Sequence, residues 1–185
     1  CRMENNTPVA GPDQSFRDRA ILWNEVLPFV EGEYPHVTMT LIPRPCQHCD
    51  NPPCTKVCPV KATYIDEEGI VQIDYDRCIG CRFCTVACPY QVRYFNWYKP
   101  EWPAQLKAHL NPDPEVAPRP KGVVEKCTFC TQRLRKAREL AESEGRPFNA
   151  TDYVPACVQT CTGRARYFGD LDDPNSLVSQ LAASP

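Results

Sequence analysis

The chain has 185 residues, a formal net charge of −2, a pI near 6.0 and 20 prolines. It is therefore one large domain or two small ones, and its charge gives no reason to expect nucleic acid or an anionic membrane surface as a partner. No apolar run approaches the roughly 18 residues of a membrane span, and a proline share about twice the usual ~5% predicts ordered loops held by something other than a large core.

In chain order, the sequence opens at Cys1 and ends in Leu181-Ala182-Ala183-Ser184-Pro185. No signal peptide is visible, and both ends read as cut from a longer chain. The most apolar stretch, Ala20 to Val30, is interrupted by Asn24, Glu25 and Pro28. Together with the preceding Phe16–Trp23 it reads as a covering segment. Cys46, Cys49, Cys54 and Cys58 then form a compact set followed by Pro59. Residues 62–75 alternate as two short strands around Asp66-Glu67-Glu68-Gly69, a hairpin with glycine at the turn. Cys78, Cys81, Cys84 and Cys88 form a second set, followed by Pro89. Val92–Asn96 reads as the strand after it.

Residues 97–124 are a Pro-rich insertion containing Trp97 and Trp102. Ordered loops of this length are usually functional, and Trp, Tyr and Pro suit a rigid contact surface, so the insertion is expected to touch a partner subunit. Its alternative is a self-packed cover. The third cysteine set is split: Cys127 and Cys130, then Cys157 and Cys161. Between them Leu134, Ala137, Leu140 and Ala141 recur at helical spacing, and Gly145 stops that helix.

Thirteen cysteines is an odd number, and the two-residue spacings crowd too many thiols together for a disulfide framework. Structural zinc takes two Cys pairs, usually about 12–20 residues apart, whereas each compact run holds four thiols by itself. The second run, with spacings of two, two and three and a following Pro, matches the bacterial ferredoxin signature for [4Fe–4S] clusters. In such runs three thiolates hold one cluster and the fourth ligates another. That rule assigns Cys46, Cys49, Cys54 and Cys88 to one cluster, and Cys78, Cys81, Cys84 and Cys58 to a second. Cys127, Cys130 and Cys157 need a fourth ligand, for which Cys1 is the candidate. Cys161 is left for a cluster completed by residues outside the sequence. The rival for Cys1 is the acylated start of a lipoprotein.

Lys56, Lys61, Arg77, Arg82, Arg93 and Lys126 flank the ligands, where positive charge would raise cluster potentials. The plainer reading of each is a solvated side chain. His48, between two ligands, reads as a neighbour of the cluster or a surface residue, and His36 and His109 have no local pattern. No nucleophile–base, paired-carboxylate or phosphate-loop arrangement is present, so electron movement without substrate chemistry is expected.

The split last set, opened by Glu125-Lys126-Cys127-Thr128-Phe129-Cys130, resembles the electron-transfer beta subunits of molybdopterin oxidoreductases. So do Pro45-Cys46-Gln47-His48-Cys49 and Phe168-Gly169-Asp170-Leu171. The subgroup acting on polysulfide, tetrathionate, sulfite and dimethyl sulfoxide is the most similar. The resemblance implies an α+β fold of two interlocked dicluster ferredoxin-like units with short hairpins, short helices and long Pro-rich loops. The inner unit would span 46–96 and the outer one 1–45 with 125–179. It implies three complete [4Fe–4S] clusters and a fourth, a molybdopterin catalytic subunit and a quinone-binding membrane anchor as partners. The cluster on Cys78, Cys81, Cys84 and Cys58 would lie nearest the anchor, and that of Cys161 nearest the catalytic subunit. Some relatives replace the residue at Cys81 and carry [3Fe–4S]; this chain keeps Cys81, which implies [4Fe–4S]. Thr162-Gly163 stand where a Pro often follows the last cysteine, which implies a bent local turn. The complex would be peripheral to the cytoplasmic membrane, with the periplasmic side favoured, because such subunits travel folded with a signal-bearing partner. Alternatives are the same wire in a hydrogenase, nitrite reductase or quinol-oxidising complex, or a soluble polyferredoxin.

Overall fold

A computed structural model describes residues 1–184, which divide into two compact units. One runs from Arg2 to Thr128; the other comprises Cys1 and the chain from Phe129 on.

In the larger unit a short helix, α1 (Pro12–Phe16), precedes a long antiparallel hairpin of β1 (Asn24–Glu31) and β2 (Thr38–Pro45). Then come α2 (Pro53–Lys56), the hairpin of β3 (Thr63–Ile65) and β4 (Val71–Ile73), and α3 (Phe83–Ala87). β5 (Tyr94–Phe95) pairs antiparallel with β6 (Val124–Glu125), on the far side of an insertion that holds α4 (Ala104–Lys107). Every sheet is two-stranded. One buried cluster includes thiols: Cys54 and Cys84 pack with Val71, Ile73 and Val124.

The predicted hairpin at 62–75 is present. Asp66 Oδ1 accepts from the amides of Glu68 and Ile70, and Gly69 takes φ +75 at the turn. The strand at 92–96 shortens to β5. Residues 2–45 lie in the same compact unit as the two compact runs. Ile21 and Trp23 are buried, Trp23 Nε1 donates to Glu125 Oε2, and Arg119 donates to the carbonyls of Asn5 and Asn6. The covering segment is thus confined to Ile21–Trp23, since Phe16 is exposed. From Asn24 the chain leaves the surface as the β1–β2 hairpin, which the sequence pattern does not announce.

The insertion packs inward. Trp102, Val116 and Arg119 are buried, and Asn6 bonds Asn111 and Val116. Gly80 and Gly122 approach so closely that a Cβ on Gly80 would strike the Gly122 carbonyl. Of the two insertion tryptophans only Trp97 stays partly open, at 36%.

In the smaller unit α5 (Thr131–Ser143) ends at Gly145, φ +66, as its sequence predicts. Leu134 and Ala141 face inward, while Leu140 is exposed. α6 (Ala156–Gln159) and α7 (Leu177–Ala183) follow. Phe168 packs edge-on against Phe129 and Tyr153, at centroid distances of 5.5 and 5.2 Å. No helix of the described residues is long and apolar enough to cross a membrane.

Candidate cluster-binding sites

One local design recurs at all three cysteine sets. In the Cys-x-x-Cys loop that opens each set the residue before the second cysteine is left-handed: His48 at φ +44, Gly80 at +68 and Phe129 at +53. For a non-glycine residue this is uncommon, and two such residues among three loops mark a geometry fixed by the surroundings. The third cysteine of each set then rides a one-turn helix: Cys54 on α2, Cys84 on α3, Cys157 on α6. Three residues past the last cysteine the chain is again left-handed, at Lys61, Gln91 and Arg164. The amides of these residues donate to the carbonyls of Cys58, Cys88 and Cys161 at 3.2, 3.1 and 3.0 Å. The turn at Cys161 therefore matches the other two. The bend expected from Thr162-Gly163 is absent, because the hydrogen bond and not the proline closes the turn.

The eight thiols of the compact runs line two separate cavities. Cys46, Cys49, Cys54 and Cys88 line the first, with Val71 and Val92. Cys58, Cys78, Cys81 and Cys84 line the second, with Ala62, Ile73 and Val124. No disulfide joins any of these eight. Each cavity thus draws three sulfurs from one run and one from the other. Among the described residues no three His, Cys, Asp or Glu side chains converge on a point that would hold a single ion; the sulfurs stand apart on apolar walls.

The electrostatics favour anionic sulfur in places and oppose it in others. Burial raises the Cys58 thiol, but amide N–H groups of Thr63, Val60 and Ala62 and the Thr63 side chain more than offset it, and the thiol ends below its usual value. Burial pushes the Cys54 and Cys84 thiols up, with Arg93 opposing in both cases. The amide of Ala165 donates to Cys161 Sγ at 3.3 Å. Soft thiolates on dry walls, with N–H donors aimed at sulfur, are the donor set that iron–sulfur clusters take.

The flanking cations separate into two classes. Lys56, Lys61, Arg77 and Arg82 are exposed, as the plain reading holds. Arg93 and Lys126 are buried, at 5% and 0%. Lys126 Nζ donates to the Cys127 carbonyl at 2.7 Å, and burial lowers its pKa. His48 is buried and neutral: burial, then the charges of Lys126 and Arg93, hold it down at about 2. Its Nδ1 accepts from the Val71 amide at 3.1 Å, pinning β4 to the first cysteine loop. His36 and His109 are exposed.

Beside Cys81 lies an open groove lined by Asp18, Arg19, Arg82, Phe83, Val86 and Trp97, among others. Arg19 and Arg82 stack on Trp97 at 4.7 and 4.9 Å. Phe83 and Val86, in its lining, are exposed by 60% or more.

The 4Fe-4S dicluster domain family matches residues 37–104. The chain is 44% identical to the iron-sulfur cluster-binding subunit of menaquinone reductase from Nitratidesulfovibrio vulgaris, over 100% of this chain and 73% of that protein. It is 43% identical to the iron-sulfur subunit of a putative dimethyl sulfoxide reductase from Halobacterium salinarum, over 99% of this chain and 63% of that protein. It is 42% identical to a selenate reductase subunit from Mesobacillus selenatarsenatis, over 96% of this chain and 59% of that protein. The chain thus spans about six- to seven-tenths of these relatives' lengths.

Proposed function

Since this chain belongs to the iron–sulfur electron-transfer subunits of the molybdopterin oxidoreductases, we propose that it relays electrons between a molybdopterin catalytic subunit and a quinone-linked membrane anchor, through [4Fe–4S] clusters held by its own cysteines. Cys46, Cys49, Cys54 and Cys88 hold one cluster, and Cys58, Cys78, Cys81 and Cys84 a second. The observation that carries this reading is the segregation of these eight thiols into two separate cavities, four to each. Cys127, Cys130, Cys157 and Cys1 hold a third cluster. Cys161 serves a fourth, completed by residues outside this sequence. The repeated loop, one-turn helix and closing turn support extending the assignment to the split set.

Bound clusters supply one-electron transfer; the protein supplies position, dryness and charge. Val71, Val92, Ile73 and Val124 keep water off the sulfurs. Amides of Val60, Ala62 and Thr63 stabilise negative charge at Cys58. The second site faces the membrane anchor, a reading supported by the groove beside Cys81 with its exposed Phe83 and Val86. Trp97 brings the Pro-rich insertion into this contact. The complex is peripheral to the cytoplasmic membrane, on its periplasmic side. Protease access in spheroplasts tests the side: digestion of the subunit only after lysis would overturn it.

The central test is iron and acid-labile sulfide analysis of the purified complex, with EPR of its reduced and oxidised forms. [4Fe–4S] signals on reduction are expected, with molybdenum in the same complex. An oxidised [3Fe–4S] signal of the native complex that persists in Cys81→Ser and is removed by Cys78→Ser would overturn the second assignment.

A further inference from the structure

We propose that Arg93 is shared by the two cluster sites of the larger unit: its guanidinium donates to sulfur in both and sets their reduction potentials together. The inference rests on the reading that the two cavities hold [4Fe–4S] clusters.

Arg93 follows the second cysteine run and is 5% exposed. Its Nη2 donates to Thr63 Oγ1 at 2.8 Å, which fixes the plane of the group from β3. Nε and Nη1 are buried and have no hydrogen-bond partner among the described residues, cysteine sulfur included, so their protons are free for the sulfur of bound clusters. A buried cation with unused donors is costly, and such groups are rare without a function. No carboxylate among the described residues relieves it: Glu125, the buried acid of this unit, is paired with Arg119 at 2.9 Å.

What Arg93 does face is sulfur, from two sites at once. It lines the cavity of Cys46, Cys49, Cys54 and Cys88. It also stands against Cys84, which belongs to the other cavity. Its charge bears on Cys54 and on Cys84 alike, the thiols carried by α2 and α3. Donors directed at sulfur and nearby positive charge both favour the reduced, more anionic state of a cluster and so raise its potential. One guanidinium between two sites raises both. A change at Arg93 then moves both potentials together and leaves the gap between them, which decides how easily an electron passes, nearly as it was. Lysine could not replace this arrangement, because a point charge on a flexible stem cannot bond Thr63 and present a planar fork to two sites.

The test is an EPR-monitored redox titration of the complex carrying Arg93→Gln or Arg93→Lys. Arg93→Gln is expected to lower both potentials, each by a roughly tenfold change in the reduction equilibrium, about 59 mV for a one-electron couple. Arg93→Lys should fall between Gln and the native protein. Arg77→Gln, at an exposed residue paired with Asp74, should move neither. Full iron and sulfide content with unshifted potentials in Arg93→Gln overturns the proposal, as does a shift at one cluster only. Should the variants lose iron, electron–nuclear double resonance of the native complex labelled with ¹⁵N-arginine decides. Nitrogen coupling to both reduced clusters is expected, and its absence at either overturns the shared role. A native complex without iron and acid-labile sulfide would instead overturn the cluster reading itself, before any variant is made.

Discussion

At Glu125 four polar side chains meet inside the larger unit. Trp23 Nε1 and Arg119 Nε donate to its Oε2 at 3.0 Å each, and Asn96 Nδ2 donates to Oε1 at 3.3 Å. Arg119 also stacks on the Trp23 ring at 4.8 Å. Burial raises the Glu125 carboxyl despite these donors, so the group depends on its partners to stay ionised. Arg119→Met removes the cation, the bonds to the Asn5 and Asn6 carbonyls and the stacking together. It is expected to cost about 3–5 kcal/mol, the range for breaking a buried pair. A urea titration of the loaded protein, followed by loss of the cluster absorbance, would read it. None of this network was legible in the sequence. Arg119 and Glu125 look like any other charges along the chain, and only tertiary contact with residues 5–6 and 23 makes them core. The same limit applies to the flanking cations: spacing alone could not separate Arg93 from Arg82.

Among the elements, the cysteine loops were the most legible, because ligand spacing is a chemical constraint. The left-handed residue inside each loop was visible only at Gly80; at His48 and Phe129 the side chain gives no such signal. Gly80→Ala is expected to strain φ +68 and to drive a Cβ against the Gly122 carbonyl and within 2.8 Å of the Phe95 ring. The cluster site proposed at Cys58, Cys78, Cys81 and Cys84 should then fill poorly while the other proposed site remains loaded. Iron content and separate EPR signals distinguish this from general unfolding. The β1–β2 hairpin was not foreseen, because Pro28, Pro43 and Pro45 argue against a strand. They are tolerated in this sheet, whose two strands each leave an edge free. Its outer half, with Phe29, Val30, Met39 and Leu41 exposed, contributes little to the core. Replacing residues 29–40 by a two-residue turn is therefore expected to leave iron content unchanged and to alter stability by less than about 0.5 kcal/mol, the range of ordinary surface changes. A loss of iron would mean that the hairpin supports the Cys46 loop into which β2 runs.

For the whole molecule, composition foretells ordered loops and short elements, while the fold class comes from the resemblance; a buried cluster in which Cys54 and Cys84 pack with Val71, Ile73 and Val124 makes the thiols part of the core. With ligand binding and folding coupled, stripping iron by chelator and oxidant should collapse the tertiary near-ultraviolet signal of the larger unit in step with loss of cluster absorbance. A tertiary signal that survives full iron removal would show that Trp23, Trp102 and the Arg119–Glu125 pair suffice by themselves. The grouping of residues 2–45 with the cysteine runs was hidden, since it rests on single side chains, Asn6 and Trp23, reaching across more than a hundred positions to Asn111, Val116 and Glu125.

The exchange of one cysteine between the two cavities bears on how the protein is made. Synthesis proceeds from the N-terminus at about 5–20 residues per second. When the first run has left the ribosome, its cavity still lacks the Cys88 wall, and Cys58 has no cavity to join. Neither site can be closed by the half of the chain that begins it. On the proposed ligand assignment, loading of both waits for the second run, and a nascent chain arrested before it is expected to release iron rather than retain one finished centre.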